Sequence, residues 1–527
     1  MKALMTNKTL HGHLFALLLI AATGLFLQRG YMNEYPTHIH AWAEQDHYAL
    51  ALGFINNGFD FFHPETMIYN KQFPGWWKEA YDNTITSADF PIHHFIVAIL
   101  MSVFGTTSPW VFRVYTLIIS LIGLFFLYKT AFLITNNIPK SIIVTSIAST
   151  APVYAYYCNG FLPGIPAFSM SIIGFWFYVN FLNSNRKVHY VLSIAFLCLS
   201  ALMRTTFIIA LIATLCYGLL RIAKKESTIK GKLPIVILSL VVFVAYYLWN
   251  KHLRQCYGSI FLGHLLPPEN LQDAKELLNI AYDNWRFQYF QRFQYQLILL
   301  FALIAVSIFI IRLFSKKNQD TNKIGHENHK LSLWWLPLGQ LFGCLLFTVA
   351  MMQQIQYHDY YFIDTFFAPL LITIILILKV IPSPKKSLLI GMEYAIAVII
   401  CVVMIQHVVK NQTYRRIMED AALVTYNCYK DSDQLLDSLH IPNDAKMLCI
   451  YGYAQNGPFI QMKRKGYIVM NDNDDLLKTA LTWDYDYIVI ENAKYEEHFD
   501  NQKEIFSKLQ KIGGDNKITI YTMTDIQ

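Results

Sequence analysis

Residues 87–113 read SADFPIHHFIVAILMSVFGTTSPWVFR. The apolar run from Phe95 to Phe104 inside this stretch decides the topology of everything after it. A helix crossing a bilayer needs roughly 20 apolar residues, with a range of about 17–25, and this run falls well short before Gly105. If it spans, every later basic loop turns to the far side. If it is a juxtamembrane or re-entrant segment, those loops stay on the near side.

Eleven other stretches qualify as spans, at about 12–29, 110–128, 141–157, 163–183, 188–203, 205–221, 233–250, 295–314, 331–351, 365–380 and 387–408. Inside lipid such segments fold as helices, because each unpaired amide costs several kcal/mol there. With eleven spans, Lys129/Lys140, Arg186/Lys187, the Arg221–Lys232 cluster, the Arg312–Lys330 cluster and Lys379/Lys385/Lys386 share a side with Lys2 and Lys8. That side collects 19 of the 30 basic residues in the first 410 positions and only three acids, Glu226, Asp320 and Glu327. The positive-inside bias makes it the cytoplasmic face. Loops 30–109, 251–294 and about 352–364 then lie outside, carrying 14 of the 18 acidic residues of the membrane region. The polar chemistry is concentrated there.

Composition agrees. Of 527 residues 54% are hydrophobic and 15% charged, with a mean hydropathy of +0.32, whereas soluble domains are about one quarter charged. A purely soluble enzyme and the disordered, collagen-like and coiled-coil classes are excluded. The 37 Phe, 33 Tyr and 10 Trp suit long membrane–water boundaries. The net charge of +7 is not a nucleic-acid footprint, since the basic excess sits between spans while residues 411–527 carry 13 basic and 18 acidic groups. Nucleic acid is not expected as a partner. The N-terminal run from about Leu14 to Leu27 resembles a signal peptide but carries on past Ala21–Ala22, so it reads as an uncleaved first helix.

The chain therefore divides into a membrane module, 1–410, and an extracytoplasmic α/β domain, 411–527. In the latter, Met447–Tyr451, Tyr487–Ile490 and Ile518–Tyr521 read as strands, 495–511 as a helix, and Gly513–Gly514 as its stop. The eight cysteines form no C-x-x-C pair, and a Cys428–Cys449 disulfide is conceivable only if this domain is outside.

The first outside loop carries the densest set of titratable groups. Residues 38–64 read HIHAWAEQDHYALALGFINNGFDFFHP, with Glu44 and Asp46 two apart. Two close carboxylates repel, which raises the pKa of one and suits it to act as a base near neutrality; a solvated acidic loop is the plain alternative. His38, His40 and His47 add groups that titrate or ligate, though loop histidines are more often surface residues. His93 and His94 stand at the entrance of the short apolar run, where they either meet an anionic phosphate or are interfacial with no role.

In order, the acidic E-x-D pair after the first helix, the Phe-Pro-x-His segment leading into a short apolar helix, and G-x-x-S-x-W-x-x-R (Gly105, Ser108, Trp110, Arg113) resemble the GT-C class of membrane glycosyltransferases. The likeness is to the bacterial branch akin to protein O-mannosyltransferases and the lipid A aminoarabinose transferase, over roughly residues 10–370. It implies a GT-C-like polytopic helical fold with two juxtamembrane helices in the first outside loop. It also implies that Asp46 or Glu44 is the catalytic acid motif and that Arg204, in ALMRTTF, faces the active-site cavity. Segment 357–364, YHDYYFID, falls where relatives place a Tyr on the lipid phosphate, which makes His358, Asp359, Tyr360 and Tyr361 candidates; an interfacial aromatic belt is the competing reading. Where relatives show Lys-Pro-Pro or Tyr-Pro-Pro, this chain has Phe90-Pro91-Ile92-His93, so a lysine contact to phosphate is missing. Some class members bind a divalent ion, for which Glu44 and Asp46 would be the ligands here; the aminoarabinose-type relatives need none.

Arg204 has a physical claim of its own. A charge in an apolar run of this length costs about 3 kcal/mol or more unless it finds water or a partner, and a guanidinium grips phosphate bidentately. Glu393 draws the same argument but lies nearer the cytoplasmic side and reads as packing. Loop 251–294, with Trp285 and Arg286, is a candidate platform for sugar or acceptor. The expectation is an integral enzyme, in a bacterial inner membrane with its C-terminal domain outside, that moves a hexose or pentose. It would take the sugar from a polyprenyl-phosphate donor to a hydroxyl of a glycan, lipid or protein, with inversion in one displacement. A lipid-linked oligosaccharide flippase would show repeat symmetry and interrupted helices, and an O-antigen-ligase-like enzyme would place its chemistry in a late outside loop. A scaffold anchored by its tail is a third alternative.

Overall fold

The computed structural model describes residues 2–72, 82–316, 331–417, 421–470 and 474–523. Most of the basic cluster Arg312–Lys330 lies outside the described residues. Among those described, eight helices are long and apolar enough to cross a membrane: Leu10–Gln28, Pro109–Thr135, Gly164–Ser184, Thr205–Ala223, Leu233–Tyr257, Arg292–Arg312, Ile363–Val380 and Ser387–Ile417. The chain is a multi-pass membrane protein. Three of the eleven expected spans are shorter helices, Ile138–Ser149, Lys187–Met203 and Trp335–Ala350. The span expected at 141–157 is broken because Pro152 opens a new helix, Pro152–Tyr157, after an extended Ala151.

Contacts divide the chain into two compact units. The first comprises Met1–Met32, Val114–Tyr246 and His264–Thr413. Its helices pack closely, as where Ser200 Oγ donates to the Ala167 carbonyl at 2.6 Å. Gln28 Nε2 likewise donates to the Ala155 carbonyl at 2.6 Å. Glu393 accepts two bonds from Asn137 Nδ2, at 3.0 and 2.9 Å, and so has a packing partner. An amphipathic helix with no counterpart in the sequence reading, Leu271–Tyr289, buries Leu277 and Ala281 on one face.

The second unit joins Asn33–Arg113, Tyr247–Gly263 and Tyr414–Gln527. Its first segment holds two helices, Ala41–Asn56 and Ile92–Phe104, as the resemblance implies, and they meet through Leu50, Phe54 and Ala98. The C-terminal segment forms a five-stranded sheet from β1 (Met447–Gly452), β2 (Gly466–Met470), β3 (Tyr487–Glu491), β4 (Leu509–Gly514) and β5 (Ile518–Met523), in the order β2-β1-β3-β5-β4. Strands β2, β1 and β3 are parallel, while β5 is antiparallel to both β3 and β4. The helix expected over 495–511 is instead two short helices, Asn492–His498 and Lys503–Phe506, followed by β4. Gly513 and Gly514 end that strand opposite Ile520 and Thr519 rather than stopping a helix. Cys428 and Cys449 are free thiols, and Cys449 Sγ meets the Tyr429 hydroxyl at 3.0 Å.

Within this unit the extended segment around Ile68 lies along β2: Tyr69 N donates to the Gly466 carbonyl at 3.0 Å and Gly466 N to that of Met67 at 3.1 Å. Lys465 Nζ pairs with Glu65 at 2.5 Å and the Tyr467 hydroxyl donates to Asp82 at 2.6 Å. Arg464 is 2% exposed and donates to Asp437 and to the carbonyls of Pro442, Met462 and Ile441 at 2.7–3.2 Å. Replacing a buried donor set of this kind leaves acceptors unsatisfied at about 1–3 kcal/mol each. Arg464→Ala is therefore expected to destabilise the sheet by about 3 kcal/mol. Limited proteolysis of the full chain reads this as earlier cutting within 430–470, and an unchanged cleavage rate would contradict it.

Candidate functional site

Helix Ala41–Asn56 starts after His40, which sits in the left-handed region at φ 59° and turns the chain into the helix. This sets Glu44 and Asp46 in the first turns, where both are buried, at 3% and 5% exposure. Asp46 Oδ1 accepts a 2.8 Å hydrogen bond from Asn456 Nδ2, while Asn456 Oδ1 accepts from Met67 N at 3.0 Å. The amide of Asn456 thus spans between carboxylate and main chain. Burial pushes the Asp46 carboxyl up to about 7, and the hydrogen bonds from Asn456 and Trp42 pull it back only in part. The raised pKa anticipated from repulsion by Glu44 is present, but its cause is desolvation.

Gly105 and Arg113 of the G-x-x-S-x-W-x-x-R motif have structural partners nearby, as does the intervening Thr107. Gly105 takes φ 63°, the left-handed conformation that closes helix Ile92–Phe104. The Thr107 carbonyl accepts from the Tyr48 hydroxyl, and Arg113 Nε donates to the Glu34 carbonyl at 2.8 Å. Glu34 in turn pairs with Arg416 at 3.1 Å. His93 and His94 are 0% and 3% exposed. The His94 ring stacks on His47, with His47 Nδ1 and His94 Nε2 2.9 Å apart, while His93 meets Phe112 edge-on. They lie in the first turn of helix Ile92–Phe104, as read from the sequence, and are buried there. Burial and the neighbouring imidazoles hold His94 well below the usual histidine range, so it is neutral.

In the first unit, Arg204 occupies the extended residue where helix Lys187–Met203 ends and a 3-10 turn, Thr205–Phe207, begins. Its Nε bonds Asp364 Oδ2 at 2.6 Å; Arg204 is 20% exposed and Asp364 2%. Tyr360 and Tyr361 present ring faces 5.9 and 5.5 Å from the guanidinium. Asp359, fully buried, accepts from the Tyr157 hydroxyl at 2.9 Å, and His358 Nδ1 lies 3.1 Å from the Gln354 carbonyl. Asp364 sits in a π-helical turn, Ile363–Phe367, of the kind that interrupts helices at functional positions. It also needs Gly164: a Cβ there would stand 2.5 Å from Asp364 Oδ1.

Beside Tyr361 and Thr365 opens a largely apolar cavity of about 480 Å³, walled by Tyr282, Arg286, Tyr289 and Phe362. Trp285 Nε1 donates to the Gln356 carbonyl at 2.9 Å and so fixes the candidate platform to segment 352–364. Among the described residues, no three His, Cys, Asp or Glu side chains converge as metal ligands, Glu44 and Asp46 included. The oxygen of Asp46 is occupied by an amide donor, which fits a hydrogen-bonded base better than a ligand set. Sequence reasoning passed over Asn456, which lies 410 residues from Asp46. It also passed over Asp364, although that residue lies inside the quoted YHDYYFID and an intramembrane Arg demands an acid.

Residues 88–249 match the family model for dolichyl-phosphate-mannose-protein mannosyltransferase. The apo structure of ArnT from Cupriavidus metallidurans aligns over 96% of this chain and 97% of its own, at TM-score 0.50 and 9% identity. ArnT bound to undecaprenyl phosphate aligns over the same shares at 0.49 and 9%. The Archaeoglobus fulgidus oligosaccharyltransferase aligns over 91% of this chain and 69% of its own, at 0.46 and 12%. No curated protein matches the chain in sequence. The fold is that of ArnT, a GT-C architecture, in agreement with the residue-level resemblance.

Two outcomes follow for the isolated protein. Because the folded Asp46 carboxyl ionises near 7 and the unfolded one near 3.8, its stabilising contribution is full below about pH 4 and is lost as pH rises through about 7. Asp46→Asn should gain thermal stability on wild type across that window in detergent, and parallel midpoint curves would refute the buried carboxyl. Breaking the ion pair with Asp364→Ala is expected to cost about 3 kcal/mol, and the double change Arg204→Leu/Asp364→Leu markedly less. Denaturation of both variants checks this, and a double variant worse than the single would count against the pairing.

Proposed function

We propose that the protein is a glycosyltransferase that moves a sugar from a polyprenyl-phosphate donor to an acceptor hydroxyl on the extracytoplasmic face of a bacterial inner membrane. The observation that carries the reading is Asp46: a buried carboxyl that ionises near 7 and is aimed by Asn456. Such a group is half-ionised at neutrality and suited to take a proton in the transition state. Support comes from the family match over 88–249 and from the ArnT fold, a protein also solved with undecaprenyl phosphate.

The acceptor oxygen attacks the anomeric carbon as its proton passes to an Asp46 oxygen, and the bond from that carbon to the donor phosphate breaks. One displacement inverts the configuration. The phosphate leaves with added negative charge, which a fixed cation stabilises more in the transition state than before it. The family resemblance points to Arg204, which within the first unit is oriented by Asp364 and flanked by Tyr360 and Tyr361, as the candidate cation for that task. The apolar cavity beside Tyr361 suits a prenyl chain. Asp359 and His358 shape the same segment through Tyr157 and Gln354. His93 and His94, buried among aromatic rings, are left as packing. Glu44, buried two residues before Asp46, is the substitute base.

The purified protein, labelled polyprenyl-phosphate sugars and total-membrane acceptors test this. Wild-type transfer should rise with pH through about 7. Asp46→Asn should lower it by about 10²–10⁴ while the thermal midpoint shows a folded protein, and Arg204→Leu should lower kcat. Equal transfer by Asp46→Asn moves the base to Glu44. No transfer by wild type with any donor, while donor still binds, would sink the transferase reading in favour of a flippase or binding protein.

A further inference from the structure

In the first unit, helices Gly164–Ser184, Lys187–Met203, Ile208–Ala223 and Leu233–Tyr257 enclose a second cavity of about 260 Å³ beside the basic segment 221–232. None of its lining residues belongs to the machinery assigned above. Its lining falls into two parts. One is polar and cationic: Arg221, Lys232, Ser227 and the tyrosines 178 and 190. The other is aliphatic, and Leu219, Leu233 and Leu240 in it are 59%, 46% and 43% exposed on the helix surface that faces lipid.

Among the described residues these cations are answered only in part. Arg221 pairs with Glu226 at 3.3 Å, but a Glu226 oxygen also accepts from Leu331 N. Lys232 donates to the Ser227 hydroxyl and lies 4.8 and 5.7 Å from the Phe181 and Tyr190 ring centres. Among the described residues it has no carboxylate partner. Lys187 reaches the same corner, its Nζ 3.0 Å from where a Cβ on Gly231 would stand. Between residues 221 and 232 the chain carries five Lys/Arg and one acid. Burial and the charge of Arg221 hold Lys232 below the usual lysine range, an unfavourable arrangement that a bound anion would relieve.

We infer that this cavity is a binding site for an anionic phospholipid of the leaflet at that end of the bundle. Its headgroup phosphate would sit between Lys232, Ser227 and Arg221, and an acyl chain would lie along Leu219, Leu233 and Leu240. A phosphate diester matches the cationic part, an acyl chain matches the exposed aliphatic part, and only a lipid supplies both. Basic pockets between membrane helices that open beside apolar grooves recognise lipid headgroups in this way. The site is independent of the transfer reaction.

Native mass spectrometry of the full chain, delipidated in detergent and then given dioleoyl phosphatidylglycerol or dioleoyl phosphatidylcholine, tests the inference. Phosphatidylglycerol should be retained several-fold more strongly. Lys232→Met should cut that retention by about fivefold, as one cation near a lipid surface is worth about that much. Gly218→Leu keeps the charges and fills the cavity, because Gly218 lines it with only the Tyr178 hydroxyl near, 3.8 Å from a Cβ there. It should lower the retention of both lipids, which separates occupancy of this cavity from a charge effect elsewhere. Equal retention of the two lipids would overturn the proposal, as would variants that bind like wild type. So would millimolar inorganic phosphate displacing the lipid fully, since the occupant would then be a free anion.

Discussion

The Asn456 side chain donates to Asp46 and accepts from Met67 N, and the second unit is organised around that pair of bonds. Asp46 is buried on helix Ala41–Asn56, and Asn456 comes from the turn after β1 of the C-terminal sheet. The sheet is held to the first segment by main-chain bonds between Met67, Tyr69 and Gly466 and by the Lys465–Glu65 and Tyr467–Asp82 contacts. Those contacts fix the position of the Asn456 amide to within a hydrogen-bond length of a carboxylate 410 residues earlier. Burial raises the carboxyl and the amide limits the rise. The C-terminal sheet therefore belongs to the titration of Asp46 as well as to the packing of the unit.

Arg204 poses the opposite problem, a permanent charge that cannot lose its proton. Its solution is local to the first unit. The helix ends at Met203, the guanidinium meets Asp364, and two tyrosine faces cover it. The π-turn at Ile363–Phe367 and the missing side chain at Gly164 are what bring Asp364 within 2.6 Å of it. The pair holds the planar guanidinium in one orientation between the carboxylate and the two rings.

What the amino-acid sequence made legible is what depends on short windows. The apolar runs give helices at the expected positions because hydropathy over about 20 residues is a local property. The strands around Met447, Tyr487 and Ile518 stand out as apolar runs bounded by polar ones. Where partners are distant, the reading ran out. Residues 509–511 read as the end of a helix and Gly513–Gly514 as its stop, and together they become β4 because β5 offers a ladder. Strand β2 is framed by the Met67–Tyr69 segment, nearly 400 residues away. The Leu271–Tyr289 helix hides because its apolar stripe is narrow within a polar stretch. Asp46 was found by its neighbour Glu44, yet its pKa has another cause, burial that no local spacing encodes.

Three charged groups in low-dielectric surroundings are thus handled in three ways. Asp46 can shed its charge, so burial becomes a shift in ionisation to near 7 and makes the group chemically useful at neutrality. Arg204 cannot shed it and is paired with a carboxylate. Among the described residues Lys232 is given a hydroxyl and two ring faces, which are weaker compensation than a carboxylate. The first arrangement stores proton affinity, the second fixes geometry, and the third leaves electrostatic demand unmet. An unmet cationic demand at the head of a lipid-facing groove is relieved most simply by an anion that brings its own hydrocarbon.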